Sequence, residues 1–407
     1  MDEARIRKDF PLLEKNIEGK RIAYLDSACQ TLRPQKVIDA LVSYYQEFPA
    51  CAGRSVHKLA TEVSIQVDLA RERMARFVNA SRSEEICFTK NCTEALNTVI
   101  SGIGLKKGDT VLTSDREHNS VHVPLLVMKE ERGIRYERVR SNDDGTFDID
   151  RFGERVRKTK PKLVVVCHTS NVNGTTVDAR AVTEISHEQG SVVLLDGAQY
   201  APGGGVDLKS IDADFYALSC HKMCGPSGVG VLAGKHDLLS GIRPLTFGGH
   251  GVSSVTKDGI ELMDAPERFE AGLQDYAGII GAGVAAEYIA AIGREEIASH
   301  LRRLNLSATK SLEGFGTVEI IQPRAAELRS GILSFNIAGH NPHDVAMMLD
   351  HSDNVMIRSG MHCAHTWFED RGLANGSARA SFYVYNDEED VGQLISGVGR
   401  IIRPNHQ

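Results

Sequence analysis

Residues 215–230 read Phe-Tyr-Ala-Leu-Ser-Cys-His-Lys-Met-Cys-Gly-Pro-Ser-Gly-Val-Gly. The first five residues form an apolar run that is typical of a buried strand and ends at Ser219. Lys222 therefore follows the carboxyl end of a strand, between His221 and a Gly-Pro-Ser-Gly turn. An arbitrary lysine is most often a solvated loop residue, whereas a lysine in this setting has the desolvated amine that a Schiff-base lysine requires.

Short apolar runs alternate with amphipathic segments around this stretch. The runs that we predict as strands are Thr110–Thr113, Leu163–His168, Val192–Asp196, Phe215–Ser219 and Gly228–Leu232. The segments that we predict as helices are Thr93–Ile103, Ser120–Arg132, Ile149–Lys158 and Ala179–Gln189. This alternation predicts an α/β fold with a mostly parallel sheet between two layers of helices. In such sheets ligands bind at the carboxyl ends of the strands.

One of these strands ends in a carboxylate, at Asp196. An aspartate at a strand end is most often a turn former. Together with Lys222, however, it suggests a site for pyridoxal 5′-phosphate (PLP), because an acid against the pyridine nitrogen keeps that nitrogen protonated and makes the ring an electron sink.

The pattern changes after Gly293. We predict a charged helix at 295–315, strands at 318–321 and 332–337, a helix at 342–350, a strand at 379–385 and a helix at 388–401. This order predicts a smaller α+β domain. We assign residues 16–293 to a large cofactor-binding domain and residues 1–15 with 294–407 to the small one, because 407 residues exceed one ordinary core.

The composition excludes several classes of protein. A net charge of −7 argues against nucleic acid or an anionic membrane surface as the main partner. The first fifteen residues are too charged for a signal peptide, and the apolar stretch 278–293 predicts a packed helix rather than a membrane span. Eight scattered cysteines without a Cys-x-x-Cys pair predict reduced thiols, no metal site and a cytoplasmic location.

Further motifs are spread along nearly the whole chain: Tyr24-Leu-Asp-Ser-Ala28, Phe88-Thr-Lys-Asn-Cys-Thr-Glu94, Glu117-His118, His168-Thr-Ser-Asn171, Asp196-Gly-Ala-Gln199, Arg268-Phe-Glu-Ala-Gly272, Arg358-Ser-Gly-Met-His-Cys363 and Arg379-Ala-Ser-Phe382. With Lys222, they resemble the fold-type I, class V PLP enzymes, specifically the group II (SufS-type) cysteine desulfurases and selenocysteine lyases. The resemblance implies a seven-stranded sheet in the large domain, PLP as cofactor, L-cysteine as substrate and a homodimer.

The resemblance also assigns roles to individual residues. Those implied for cofactor binding are Cys92, Thr93, His118, Asp196, Gln199, Ser219, His221 and Lys222, and those implied for the substrate are Asn171, Arg358 and Arg379. Backbone N–H groups at residues 92–93, where a helix begins, suit the phosphate, and Ser219 and His221 would add to them. His118 would stack on the ring, Gln199 would bond the ring hydroxyl, and Arg379 would hold the substrate carboxylate through its planar fork.

Cys363 lies in a polar loop between His362 and His365. Buried, inert thiols are the usual interpretation for most of the other cysteines, but a cysteine in such a loop can be exposed and reactive. In the resembling family this position takes sulfur from the substrate, which leaves a persulfide and releases alanine, so Lys222, Cys363 and His118 are the implied catalytic residues. The short loop between Arg358 and Arg379 resembles that of group II enzymes, which pass sulfur to a dedicated acceptor protein. The sequence leaves the pathway open, whether iron–sulfur cluster assembly, tRNA thiolation or another.

The chain departs from the family pattern at four places. One is the segment 53–57, and the others are the single residues Asn119, His365 and Leu273. The family has a threonine where this chain has Leu273, and that threonine reaches the phosphate of the second subunit. We expect the remaining donors to hold the phosphate here, helped by Arg54 or Gln274.

Two other interpretations stay open. One is a selenocysteine lyase or another β-eliminating PLP enzyme in which Cys363 is dispensable. The other is a thiol-rich sulfur or metal carrier that kept the fold but lost catalysis.

Overall fold

The computed structural model describes residues 1–402, so the last five residues of the predicted small domain, 403–407, lie outside it. Its helices are α1 (Glu3–Lys8), α2 (Gln35–Glu47), α3 (Lys58–Phe77), α4 (Cys92–Gly102), α5 (Asn119–Arg132), α6 (Ile149–Thr159), α7 (Ala179–His187), α8 (Leu208–Ile211), α9 (His236–Leu239), α10 (Tyr276–Ile292), α11 (Arg294–Glu313), α12 (Pro342–Asp353), α13 (His365–Glu369) and α14 (Glu388–Ile402). Its strands are β1 (Asn16–Ile17), β2 (Lys20–Arg21), β3 (Ala23–Tyr24), β4 (Ile86–Thr89), β5 (Thr110–Ser114), β6 (Arg135–Val139), β7 (Leu163–Cys167), β8 (Val192–Asp196), β9 (Phe215–Ser219), β10 (Gly230–Gly234), β11 (Val252–Val255), β12 (Ile260–Leu262), β13 (Val318–Ile320), β14 (Ile332–Ile337), β15 (Val355–Met356), β16 (Arg358–Gly360) and β17 (Ser377–Ser381).

Seven strands form the central sheet in the order β4-β10-β9-β8-β7-β5-β6. The strands from β5 to β9 pair in parallel, whereas β10 is antiparallel to both of its neighbours. Every residue of β7 and β9 is buried, which explains their continuous apolar sequences, since helices cover both faces of the sheet. The predicted α/β class with a mostly parallel, seven-stranded sheet is confirmed.

The predicted strand boundaries were wrong mainly near the sheet edges. The sequence analysis does not identify the two edge strands, β4 and β6. In β6 (Arg-Tyr-Glu-Arg-Val) only the last residue is buried, so it has no apolar run to recognise. The strand predicted from Gly228 begins at Gly230 instead, because Gly228 has a φ of +84° and still belongs to the turn.

The carboxyl ends of β7, β8 and β9 lie side by side. Cys167 pairs with Asp196, and Asp196 pairs with Ala217. Gly197 then donates its N–H to the Ala217 carbonyl at 2.8 Å, and a Cβ at Gly197 would lie 1.9 Å from the Tyr216 ring. Only glycine allows this close turn, which directs the end of β8 toward the end of β9.

A second, antiparallel sheet has the order β13-β14-β17-β16. In it Arg379 of β17 pairs with Ser334 on one side and with Arg358 on the other. The predicted strand 379–385 was therefore placed too late in the chain, because β17 is built of small and polar residues. The apolar residues 382–385 that favoured the prediction are buried core residues beyond the end of the strand.

The N-terminal helix contacts the C-terminal part of the chain. Arg7 donates to the Tyr385 carbonyl and to the Asp390 carboxylate, both at 3.1 Å. These contacts support our proposal that residues 1–15 belong with the unit that starts at residue 294.

The predicted packed helix is α10, and eleven of its residues are buried. Within residues 1–402 no single helix has the length and apolarity to cross a membrane, and one pair bent by 77°, α10 with α11, meets that criterion together.

Candidate active site

A cavity of about 230 Å³ opens at the carboxyl ends of β7, β8 and β9. All twelve residues to which the resemblance gives a role line this cavity: Cys92, Thr93, His118, Asn171, Asp196, Gln199, Ser219, His221, Lys222, Arg358, Cys363 and Arg379. These residues come from both sheets and from the loops between them, so tertiary folding brings together segments that are far apart in the chain. Arg54 and Gln274, the expected helpers at the phosphate, do not line this cavity.

Lys222 ends a short 3-10 turn, Cys220–Lys222, that continues directly from β9. The Cys220 N–H donates to the Val229 carbonyl at 3.0 Å, and the Cys220 carbonyl accepts the Gly225 N–H at 2.9 Å. A Cβ at Gly225 would lie 2.8 Å from that carbonyl. The glycine thus lets the chain fold back over the turn, and the half-buried side chain of Lys222 lines the cavity.

Asp196 is 5% exposed and lines the same cavity. Its Oδ1 accepts the Ala198 backbone N–H at 2.9 Å and the Cys92 thiol at 3.3 Å. Burial raises the pKa of the Cys92 thiol well above its usual value, so this sulfur keeps its proton and acts as a donor. The two bonds hold the carboxylate in one orientation.

The N-terminus of α4 forms another wall of the cavity. Asn91 caps the helix through its side chain, and a Cβ at Gly230 would lie 2.4 Å from the backbone of Asn91. The Cys92 N–H donates to Ser219 Oγ at 2.8 Å. The amide of Cys92, which the sequence analysis assigned to phosphate binding, is thus used within the protein, but the Ser219 hydroxyl proton is left to donate. A helix N-terminus and such a hydroxyl together favour an anion.

His118 caps α5 and takes part in a chain of short polar contacts. Its Nδ1 accepts the Ser120 N–H at 3.0 Å and lies 2.7 Å from the Ser120 hydroxyl, which is 2.7 Å from the Thr93 hydroxyl. Burial, and next the charge of Lys222, lower the pKa of His118 to about 4. The ring is therefore neutral at pH 7, and because Nδ1 accepts, its proton is on Nε2.

Arg379 is the most deeply buried cation of the cavity, with 3% of its surface exposed. Its Nη1 donates to the Asn171 carbonyl at 2.8 Å, and Nη2 lies 3.6 Å from Asp26. Its Nε has no hydrogen-bond partner among residues 1–402. A buried guanidinium with an unused donor is suited to an anionic ligand such as a carboxylate.

Cys363 is exposed at the rim of the cavity. Both His362 and Cys363 have left-handed backbone, with φ of +47° and +56°, a conformation that is unfavourable for non-glycine residues. Two hydrogen bonds hold it: the Asn171 side chain donates to the His362 carbonyl at 2.6 Å, and the Asn119 N–H donates to the Cys363 carbonyl at 2.7 Å. Asn171, which the resemblance assigns to the substrate, is thus directly connected to the segment of Cys363.

Two of the four departures from the family pattern contact each other. The Asn119 side-chain nitrogen lies 3.1 Å from Nδ1 of His365. The two replacements therefore form one polar contact beside Cys363, and neither residue is an isolated change.

The sequence analysis missed Cys29 as a member of the site. This half-exposed thiol lines the cavity, and Arg358 Nη1 donates to its sulfur at 3.4 Å. The available signal was its position, because Cys29 directly follows the Tyr24–Ala28 motif.

Comparisons with known proteins identify the family of this chain. The model of the aminotransferase class-V family matches residues 23–394. A cysteine desulfurase of Haloferax volcanii is 36% identical over 98% of this chain and 96% of its own length.

Two solved structures superpose closely on this one. An apo cysteine desulfurase from Thermococcus onnurineus NA1 has a TM-score of 0.93 at 34% identity, and the match covers 98% of each chain. The cysteine desulfurase CsdA of Escherichia coli, in an S-sulfonic acid form, has a TM-score of 0.89 at 31% identity with the same coverage. The chain therefore belongs to the class V aminotransferase family, among relatives that are cysteine desulfurases over their whole length.

Proposed function

We propose that this protein is a PLP-dependent cysteine desulfurase that converts L-cysteine to L-alanine and takes the sulfur onto Cys363. The observation that carries the proposal is the shared cavity. Lys222 and Asp196 line it from the large sheet, Arg379 lines it from the small sheet, and Cys363 lies at its rim.

The residues of the cavity fit PLP. The N-terminus of α4 with the Ser219 hydroxyl suits the phosphate, the buried Asp196 carboxylate suits a protonated pyridine nitrogen, and the neutral ring of His118 suits an aromatic face. Burial also lowers the pKa of His221 to about 4, so His221 would bind the phosphate as a neutral hydrogen-bonding group. When bound, PLP supplies an electron sink that weakens the Cα–H bond of an attached amino acid.

The chain's own residues supply the acid–base and binding steps. The amine of Lys222 would hold the cofactor before substrate arrives and would then accept the Cα proton. The guanidinium of Arg379, with Asn171 and Arg358, would fix the substrate carboxylate. A fixed carboxylate leaves the substrate sulfur free to point toward the rim, where Cys363 lies.

The sulfur transfer balances with cysteine and Cys363 alone. The Cys363 sulfur attacks the substrate sulfur, an S–S bond forms, and the substrate C–S bond breaks. The products are alanine and a persulfide on Cys363, and no external oxidant is required. An exposed position suits this role, because a buried persulfide could not reach an acceptor protein or a thiol reductant.

Product analysis with L-cysteine tests the proposed function. With PLP and excess dithiothreitol, the protein should release sulfide and alanine in equal amounts over many turnovers. A colourless protein that forms no alanine after PLP addition would support the sulfur-carrier interpretation instead.

The acceptor and the cellular compartment belong to the same proposal. We infer that a dedicated acceptor protein removes the sulfur, because Cys363 is exposed on a short loop. All eight cysteines are free thiols, which suits a reducing compartment such as the cytoplasm.

We expect a homodimer at assay concentration. Large apolar side chains stay exposed on the segments 54–59 and 245–273, notably Val56, Phe247, Val255, Ile260 and Leu273. Such a set is costly in water and suits a second copy of the chain. Light scattering should give twice the chain mass, and a fully active monomer would contradict the expectation.

Leu273 gives a prediction about the phosphate. It is 71% exposed and outside the cavity of its own chain, in a segment that Arg71 holds through two 2.8 Å bonds to Glu270. The side-chain nitrogen of Gln274 donates to the Glu270 and Ala271 carbonyls. We therefore expect Leu273→Thr to leave PLP affinity unchanged or improve it, since a donor to a charged group contributes about 1.5–3 kcal/mol.

The measurement is the PLP dissociation constant of each variant, with Leu238→Thr as the control for another exposed leucine. Arg54→Ala should weaken binding, and Gln274→Ala should do so to a smaller extent. A contrary result would be that Leu273→Thr weakens PLP binding tenfold, about 1.4 kcal/mol, while Arg54→Ala and Gln274→Ala leave the dissociation constant unchanged. Leu273 would then be a packing residue remote from the phosphate.

A further inference from the structure

A second accessible thiol lies in the cavity that holds the proposed sulfur chemistry. Four cysteines line this cavity, namely Cys29, Cys92, Cys167 and Cys363. Cys92 and Cys167 are buried, and burial raises the pKa of both thiols well above the usual value, so only Cys29 and Cys363 are accessible. The turn that carries Cys29 is held in place, because the Cys29 N–H donates to the Asp26 carbonyl at 3.0 Å and the Ala28 N–H donates to Ser381 Oγ at 2.9 Å.

Arg358 connects the Cys29 turn to the segment of Cys363. Its Nη1 donates to Cys29 Sγ at 3.4 Å, and the strand that carries Arg358 leads through Gly360 into the loop of Cys363. The guanidinium is thus placed to compensate negative charge on the Cys29 sulfur during a reaction.

Other groups show that this end of the cavity is built for a ligand. Arg379 Nε and His362 Nδ1 are both buried and have no hydrogen-bond partner among the described residues. Both residues line the cavity together with Cys29 and Cys363. The carboxylate of a bound amino acid would accept a hydrogen bond from Arg379 Nε, and the amino acid's sulfur would lie in a space that Cys29 and Cys363 border.

We propose that Cys29 is a resolving thiol that attacks the persulfide of Cys363, an inference that rests on the proposed function. The Cys29 sulfur attacks the inner sulfur, so that a Cys29–Cys363 disulfide forms and the S–S bond of the persulfide breaks. The outer sulfur leaves with the bonding electron pair and takes the Cys29 proton, which gives hydrogen sulfide. In this step the Cys29 thiol is oxidised and the outer sulfur is reduced to sulfide, while the Cys363 sulfur keeps its oxidation state, so the step balances without a further reactant.

The step gives this enzyme a second way to release sulfur, as free sulfide instead of transfer to an acceptor. An acceptor that arrives quickly takes the persulfide sulfur, whereas without an acceptor the sulfur leaves as sulfide and the enzyme stops as a disulfide. A dithiol reductant would then restart it. Persistent turnover without an acceptor therefore requires a reductant that reopens the Cys29–Cys363 disulfide.

A single-turnover experiment tests the proposal. The reduced holoenzyme is freed of reductant without oxygen and mixed with one equivalent of L-cysteine per site. Alanine and sulfide are then quantified, and the alkylated cysteines are mapped by mass spectrometry. The wild type should release about one sulfide per alanine and yield a Cys29–Cys363 linked peptide.

The variants separate this step from alanine formation. Cys29→Ala and Cys29→Ser should form alanine, release at least tenfold less sulfide, and carry the extra sulfur on Cys363. Cys51→Ala, which removes another half-exposed thiol outside the cavity, should behave as the wild type.

Alanine with equally low sulfide in the wild type and in Cys29→Ala would overturn the inference and leave the proposed function standing. Extra sulfur on Cys29 would overturn it too, because the attack would then fall on the outer sulfur. Absence of alanine from every variant would overturn the proposed function, and the inference with it.

Discussion

Replacing Lys222 with alanine should abolish desulfurase activity and the covalent attachment of PLP. Lys222 is held at the end of β9 by the folded-back turn at Gly225, and it lines the cavity beside Asp196. On the proposed function, its amine holds the cofactor and accepts the Cα proton. Activity should fall by at least about a thousandfold, which corresponds to about 4 kcal/mol of transition-state stabilisation.

Borohydride reduction of the wild-type holoenzyme followed by peptide mapping should place PLP on Lys222. Lys222→Ala should bind PLP only reversibly. Lys222→Arg keeps the positive charge and should be as inactive as the alanine variant, which excludes a purely electrostatic role. Lys209→Ala, at an exposed lysine outside the cavity, is the control and should be active. Reduced PLP on Lys209 or Lys235 would refute the assignment.

Replacing Cys363 with serine should stop sulfur release while PLP binding persists. The hydroxyl fits the space of the thiol, and the backbone bonds at His362 and Cys363 do not depend on the sulfur. Serine cannot form a persulfide, so both sulfide and alanine formation from L-cysteine should fall by about a thousandfold or more. The PLP dissociation constant should stay within about threefold of the wild-type value, a difference of about 0.65 kcal/mol in binding free energy.

Mass spectrometry of the wild type, with the acid quench applied before sulfide appears, should locate the extra sulfur on Cys363. A label on Cys220 or Cys224 would be incompatible with this role, because both thiols are fully buried. L-selenocysteine gives a separate comparison. If Cys363→Ser processes selenocysteine as fast as the wild type but fails with cysteine, the thiol is needed for sulfur alone. Equal rates with both substrates would favour the β-eliminating interpretation.

The local sequence pattern predicted several of the helices and strands of the large domain. The bounds of β8 and β9 agree with the prediction to the residue, and the predicted helix from Ile149 differs from α6 by one residue. These elements are buried on both faces or strongly amphipathic, so each carries its own pattern. The edge strand β6 carries no such pattern and emerged only from its pairing with β5.

The chemistry of the site divides in the same way. Lys222 and Asp196 follow apolar strands, and since parallel strands end at one edge of a sheet, the sequence by itself determined that the two side chains lie near one another. Cys363 was identifiable from its polar, histidine-flanked loop.

Only the tertiary structure decided the contacts between distant segments. Asn119 and His365 are 246 positions apart, and Arg358 and Cys29 are 329 positions apart. No local periodicity encodes such pairs, because they depend on how the small sheet packs over the large one. For that reason the sequence was sufficient to propose the cofactor-binding residues and Cys363 as the sulfur acceptor, whereas the position of Cys29 beside Arg358 became visible only once the chain was folded.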